Sequence, residues 1–200
     1  TNLAYTQASL GKKVLLIGAD LHNPQIHSYL DTEKNVDGLV NFLIDDEFNW
    51  QKALKRPRKS EQDINCDILL GGKIPPNPAQ LLNNNNLEKL LDQAKKVYDY
   101  VIIDTPPCLL VSDTFIISHL SDILLLVVRC DHTDIGVLDF LKDSRAKNII
   151  KENSMIVLNS IGANNKYGYG YAYNYSYGYR YKYGYNYNYG YGYEYKSDEE

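Results

Sequence analysis

Four short runs of apolar residues recur along the first 160 positions, and each run stops at a glycine or a polar residue. They occupy residues 14–17, 101–103, 123–128 and 155–158. Successive apolar positions indicate strands that are buried on both faces, and the runs are separated by helix-length segments. The pattern predicts an α/β protein: a three-layer α/β/α sandwich around a mainly parallel sheet.

The segments between the runs show helical periodicity. In residues 86–98 one helix face would carry four apolar side chains, those of Leu87, Leu90, Leu91 and Ala94. Residues 137–148 carry a similar stripe. The loop at residues 71–78 is rich in glycine and proline, so it cannot be a helix or a central strand, and a helix is predicted to begin near Ala79.

From Tyr167 to Tyr195 tyrosine alternates strictly with other residues. Gly and Asn, which separate most of the tyrosines, are poor strand formers, so a packed strand is not expected. We therefore predict one domain over residues 1–162 and a disordered tail over residues 163–200, which serves either as an interaction segment or as an array of phosphate acceptors. The fifteen tyrosines are Tyr167, Tyr169, Tyr171, Tyr173, Tyr175, Tyr177, Tyr179, Tyr181, Tyr183, Tyr185, Tyr187, Tyr189, Tyr191, Tyr193 and Tyr195.

Composition narrows the class of protein. The formal net charge of -4 gives no reason to expect binding to nucleic acid or to an anionic membrane. Cys66, Cys108 and Cys130 are odd in number and lack a C-x-x-C spacing, which favours reduced thiols over disulfides or a zinc site. The sequence contains no apolar run that is long enough to span a bilayer.

Candidate chemistry gathers where the predicted strands end, because ligands of open parallel sheets bind at the carboxyl ends of the strands. Asp104 ends a Val-Ile-Ile-Asp-Thr-Pro-Pro string, a Walker B pattern that brings one acid to Mg²⁺, and Thr105 is predicted to join it in cofactor binding. Asp20 would share that Mg²⁺ or orient the nucleophile. The side-chain amide of Asn159 could form hydrogen bonds with the edge of an adenine base, or Asn159 could be an ordinary loop residue. Both interpretations of Asn159 stay open.

Several motifs together resemble the bacterial tyrosine kinases. Residues 10–24 are similar to the second Walker A motif of that family, residues 75–78 to its proline loop, and residues 98–107, followed by Ser112-Asp113, to its Walker B region. Residues 126–129 and 157–159 continue the agreement, and the tyrosine cluster closes it. The resemblance covers nearly the whole chain, in the order found in the family.

This resemblance implies a deviant P-loop NTPase fold and an autokinase that uses ATP and Mg²⁺. The domain would lie on the cytoplasmic side of a bacterial inner membrane, within a longer protein of capsular or exopolysaccharide export. It would phosphorylate tail tyrosines of a neighbouring subunit in a homo-oligomer. Its other partners would be the export machinery and a cognate phosphotyrosine phosphatase. Asp20 and Asp104 would be the metal and catalytic carboxylates, and Asn159 the adenine reader.

Two residues depart from the family pattern acid-x-acid-x-arginine. Gly18 takes the place of the first acid, so metal or base duties would fall to Asp20 alone. His22 replaces the arginine, exchanging a permanent cation for an imidazole that is charged only when it is protonated.

A Gly-x-x-x-x-Gly-Lys-Ser/Thr loop does not occur between Thr1 and Glu200. In the family this loop lies just upstream of the segment that matches residues 1–4, which would form the body of the following helix. We therefore expect the sequence to be a fragment that begins after the loop. Without the backbone N–H groups and lysine of that loop, the fragment should bind nucleotide poorly and be inactive alone.

Two other classes of protein remain as alternatives. A partitioning ATPase would share the sheet and the Asp104 motif but has no use for fifteen acceptor tyrosines. A non-catalytic scaffold would use the tyrosine and glycine tail for self-association, with Arg180 and Lys182 in cation–π contacts.

Overall fold

The computed structural model describes residues 1–30, 32–33, 35–57, 65–109, 112–130, 132–150 and 152–161. The chain up to Ile161 forms one compact unit. The fifteen tyrosines lie outside the described residues, so the division at residue 162 and the nature of the tail stay predictions.

Helices and strands alternate along the described chain. The strands are β1 (Val14–Gly18), β2 (Cys66–Leu69), β3 (Tyr100–Asp104), β4 (Leu124–Arg129) and β5 (Ser154–Asn159). The helices are α1 (Asn2–Ser9), α2 (Leu39–Ile44), α3 (Pro78–Leu82), α4 (Asn85–Ala94), α5 (Asp113–Ser118) and α6 (Val137–Ala146). The four predicted strands are confirmed as β1, β3, β4 and β5, and the three predicted helices as α3, α4 and α6. None of the described helices is both long enough and apolar enough to cross a membrane.

The strands form two parallel ladders, whereas the sequence pattern predicted a single sheet. One ladder has the order β2-β1-β3, and the other pairs β4 with β5. Gly18 lies opposite Asp104 in the first ladder, and Arg129 lies opposite Asn159 in the second. The difference has a physical reason: an apolar run marks a strand but fixes neither its partner nor its burial. Every residue of β1 is buried, as predicted, whereas most residues of β5 are exposed, against the prediction.

The core of the three-stranded ladder explains the layered arrangement. All five residues of β1 are buried, because this strand is central and has neighbours on both sides. Leu15 and Ile17 pack into a cluster with apolar residues of α2 and α4, while Val14 and Leu16 pack into another cluster with residues of α1. Side chains of a strand alternate between its faces, so helices cover both faces of this ladder.

The predicted apolar stripe and the predicted thiols are both found. The four stripe residues of α4 are buried. Cys66, Cys108 and Cys130 are free thiols. Burial, with a smaller effect from the charge of Asp67, raises the pKa of the Cys66 thiol to about 11, so this cysteine is a core residue and not a nucleophile at neutral pH.

Candidate metal site

Adjacent strands bring the two predicted carboxylates to one place. The N–H of Ala19 donates to the backbone carbonyl of Asp104 at 2.8 Å, which extends the pairing of β1 and β3 to the edge of the ladder. Asp20 follows directly. Asp20 and Asp104 line the same small cleft, together with Gly18 and two glycines that follow β2, Gly71 and Gly72.

The carboxylate of Asp20 is oriented by its own loop. Its Oδ1 accepts the backbone N–H of His22 at 3.1 Å and that of Asn23 at 2.9 Å. A short acidic side chain that binds N–H groups two and three residues further along closes a tight turn. The direction of this carboxylate therefore depends on where residues 22 and 23 lie.

Asp104 keeps an exposed surface at the cleft, yet the surrounding strand ends crowd its carboxyl group. This loss of hydration raises the pKa of the Asp104 carboxyl. The nearby carboxylate of Asp20, which lines the same cleft, adds to that rise.

The other predicted site residues are placed differently. Asn159 ends β5 in the second ladder, where its Oδ1 accepts the N–H of Ser160 at 2.8 Å. Thr105 directly follows β3 and is partly buried. Neither residue is among the described residues that line the cleft. Asp20 and Asp104 therefore line one cleft, and the role predicted for Asn159 stays a prediction.

The cleft also contains a histidine that sequence reasoning missed. His27 lies in a short 3-10 helix, Ile26–Tyr29, and it lines the cleft with Asp20 and Asp104. Its Nδ1 is buried and has no hydrogen-bond partner among the described residues. A single histidine in a polar loop carries no periodic signal, so no local pattern distinguishes His27 from an ordinary loop residue.

Close packing accounts for the glycine at position 18. A β-carbon built on Gly18 would lie 3.3 Å from the backbone nitrogen of Gly71 and 3.3 Å from Cδ1 of Ile26. An acidic side chain there would have to push Gly71 or Ile26 aside. The cleft therefore has little room for a second acidic side chain at the end of β1, beside Asp20.

The donor set suits a hydrated magnesium ion. Mg²⁺ keeps several waters and is usually bound through one or two carboxylates together with substrate phosphates. Asp20 and Asp104 supply two such carboxylates. The described residues contain no group of three or more His, Cys, Asp or Glu side chains that could hold a metal by themselves.

The raised pKa of Asp104 predicts a pH dependence of stability. Because the folded protein holds this proton more tightly than the unfolded chain, the contribution of Asp104 is fully present below pH 3.8 and is lost as the pH rises through the folded pKa. Asp104→Asn should therefore gain stability relative to the wild type above pH 3.8. Urea unfolding of both proteins across this range, without metal, measures the difference, and a constant difference would contradict the assignment.

Comparisons with known proteins agree with this arrangement. Residues 1–157 match the AAA domain family. The tyrosine-protein kinase YwqD of Bacillus subtilis is 38% identical over 133 residues, which are 66% of this chain and 54% of YwqD. A putative tyrosine-protein kinase in the cps region of Klebsiella pneumoniae is 38% identical over 170 residues, covering 84% of this chain and 23% of that protein. The crystal structure of the VpsO kinase domain superposes with a TM-score of 0.70 at 30% identity, covering 79% of this chain and 74% of that domain.

The α/β fold with its parallel strands and flanking helices, together with these matches, places the chain in the P-loop NTPase class of folds. Within that class, the chain belongs to the bacterial tyrosine kinase family. It spans about half the length of YwqD and about a quarter of the Klebsiella protein.

Proposed function

We propose that this chain is the catalytic domain of a protein-tyrosine autokinase, which transfers the γ-phosphate of ATP to tyrosines of its own C-terminal cluster. The observation that carries the proposal is the pair Asp20 and Asp104, which line one cleft at the ends of adjacent strands. The relatives named as tyrosine-protein kinases support the type of reaction. The fifteen alternating tyrosines supply acceptors within the same chain.

Each site residue has a distinct task in this proposal. Asp104 would hold Mg²⁺, and Asp20 would share that ion or orient the attacking hydroxyl. A bound Mg²⁺ would neutralise charge on the phosphoryl group as it is transferred. Thr105 and Asn159 would assist cofactor binding, although the contacts in the cleft give direct support only to the two acids.

The biological setting is also part of the proposal. The Klebsiella relative is named for a cps region, which supports a role in capsule or exopolysaccharide polymerisation and export. The domain would then work on the cytoplasmic side of an inner membrane, within a longer anchored protein. Its partners would be other copies of itself, the export machinery and a phosphotyrosine phosphatase.

Incubation of the native protein carrying this sequence with ATP and Mg²⁺, followed by probing for phosphotyrosine, tests the proposed reaction. A kinase produces phosphotyrosine that maps to residues 167–195. Release of inorganic phosphate without phosphotyrosine would instead identify a partitioning-type ATPase. A protein that does neither and still self-associates through residues 163–200 would be a scaffold.

Phosphorylation of the tail should act as a charge switch between subunits. Each phosphate adds about -1.5 to -2 charges, so a few of them outweigh the three cations of residues 167–200. Those cations are Arg180, Lys182 and Lys196, and four acids already oppose them: Glu194, Asp198, Glu199 and Glu200. The phosphorylated tail would be repelled from the acidic cleft and from other tails.

The unphosphorylated protein should therefore associate and the phosphorylated protein should dissociate, and added salt should weaken the difference. Sedimentation of both forms at low and high salt measures this. Equal assembly of the two forms at low salt would leave the tail as a passive acceptor.

A further inference from the structure

Helix α5 makes hydrogen bonds to the loop that follows β3 and to the loop that follows β1. The Oγ1 of Thr114 in α5 donates to the carbonyl oxygen of Pro106 at 2.8 Å, and this hydrogen bond is buried. Pro106 lies two residues after Asp104. One side of the first turn of α5 is thereby fixed to the loop that follows β3.

Asp113, which precedes Thr114 in α5, contacts the loop that follows β1. Asp113 is only 1% exposed, and its Oδ2 lies 2.9 Å from Nε2 of His22. This distance is that of a hydrogen bond between the imidazole ring and the carboxyl group. The two residues are 91 positions apart in the sequence, so the contact joins segments that only the fold brings together.

His22 also contacts Asp20 through its backbone. The N–H of His22 donates to Oδ1 of Asp20, as does the N–H of Asn23. The ring of His22 therefore holds the segment whose N–H groups orient the Asp20 carboxylate. A displacement of His22 would move these donors, and the carboxylate would follow them.

We propose that His22 and Asp113 are positioning residues for the metal site: their hydrogen bond fixes the loop after β1 so that the Asp20 carboxylate is aimed at the cleft it shares with Asp104. This inference rests on the proposed function. Asp113 itself is not among the described residues that line the cleft, and its carboxylate is already engaged by His22. It acts through His22 and Asp20.

The design of the test follows from the burial of Asp113. Removing only one partner of a buried pair leaves an uncompensated polar group and destabilises the fold, whereas replacing both partners by apolar residues is often neutral. His22→Ala is therefore compared with the double variant His22→Leu/Asp113→Leu, which lacks the pair without an orphaned carboxylate. His22→Gln keeps an N–H donor at a similar reach, and His132→Ala is the control at an exposed histidine.

Amide hydrogen exchange of the 200-residue chain, followed by NMR, reads the positioning directly and without metal. Protection of the N–H groups at positions 22 and 23 should fall about tenfold in His22→Ala and in the double variant, as expected for the loss of one hydrogen bond. Protection should be retained in His22→Gln and His132→Ala. Unchanged protection at position 23 in the double variant would overturn the proposal. This outcome can be read even if His22→Ala fails to fold, because it depends on the double variant alone.

Binding of Mn²⁺, detected by broadening of the Thr105 amide signal, separates positioning from a purely structural role. Positioning predicts an affinity about tenfold weaker in the double variant and rescue by His22→Gln. A purely structural pair would lower the melting temperature and leave the Mn²⁺ affinity unchanged, which would refute the proposal. If Mn²⁺ fails to broaden signals near Asp20 and Asp104 in the wild type, the proposed metal site is wrong, while the exchange data still decide the positioning.

Discussion

Asp104→Asn should lower tyrosine phosphorylation by at least about a hundredfold, because an amide cannot supply the negative charge that holds a metal ion beside the transferring phosphate. The substitution preserves the size of the side chain. It also removes a carboxyl group whose ionisation is disfavoured by its surroundings, so the fold should persist. Phosphotyrosine formed per minute by the native protein, at saturating ATP and Mg²⁺, is the measurement.

The matched control for this variant is Asp139→Asn. Asp139 lies on α6 with an 83% exposed side chain, and its pairing with Lys142 is a surface contact worth little. Near-normal phosphorylation by the Asp104 variant would remove this residue from the metal site. An equal loss in the control would point to a general effect of the lost charge.

Asp20→Asn should lower tyrosine phosphorylation about as much as Asp104→Asn, because Gly18 leaves no second acid at the end of β1. Gly18 occupies the place where the family commonly has one, and close contact with Gly71 and Ile26 leaves little room for a side chain. The asparagine could still accept the N–H groups of residues 22 and 23 through its oxygen. The expected result is therefore lost activity with a nearly unchanged melting temperature.

The Asp113→Asn variant tests whether Asp113 binds the metal ion itself or only positions Asp20 through His22. If Asp20→Asn is mild while Asp113→Asn is severe and raises the Mg²⁺ concentration needed for half-maximal rate, Asp113 serves as the metal ligand. The structure predicts the opposite order, because Asp113 is buried against His22 and Asp20 lines the cleft. Initial rates measured over a range of Mg²⁺ concentrations decide between these outcomes.

Local patterns in the sequence were enough to predict most elements and the two acids. The apolar stripe of α4 follows from helical periodicity, and all four of its residues are buried. β2 was missed because Asp67 interrupts its short apolar run. The side chain of Asp67 is held by the hydroxyl of Tyr98 and by Arg56, partners that lie outside the strand.

The sequence predicted that Asp20 and Asp104 lie at the ends of strands, and the pairing of β1 with β3 makes those strands neighbours. Each follows an apolar run, and parallel strands have their carboxyl ends at the same edge, so residues that end neighbouring strands must meet. For Asn159 the same reasoning stays a prediction, because β5 pairs with β4 and not with β1 or β3. An apolar run identifies a strand, whereas its burial and its ladder depend on the elements that pack beside it: β1 is fully buried and most of β5 is exposed.

Only the tertiary structure decided how the site acids are supported. Nothing in the local sequence links His22 to Asp113, or places His27 in the cleft, because these contacts join loops whose positions are set by the packing of separate helices and strands. The sequence by itself determined which residues end the strands and carry charge. The fold determined which loops meet, and hydrogen bonds between those loops set the direction in which the carboxylate of Asp20 is held.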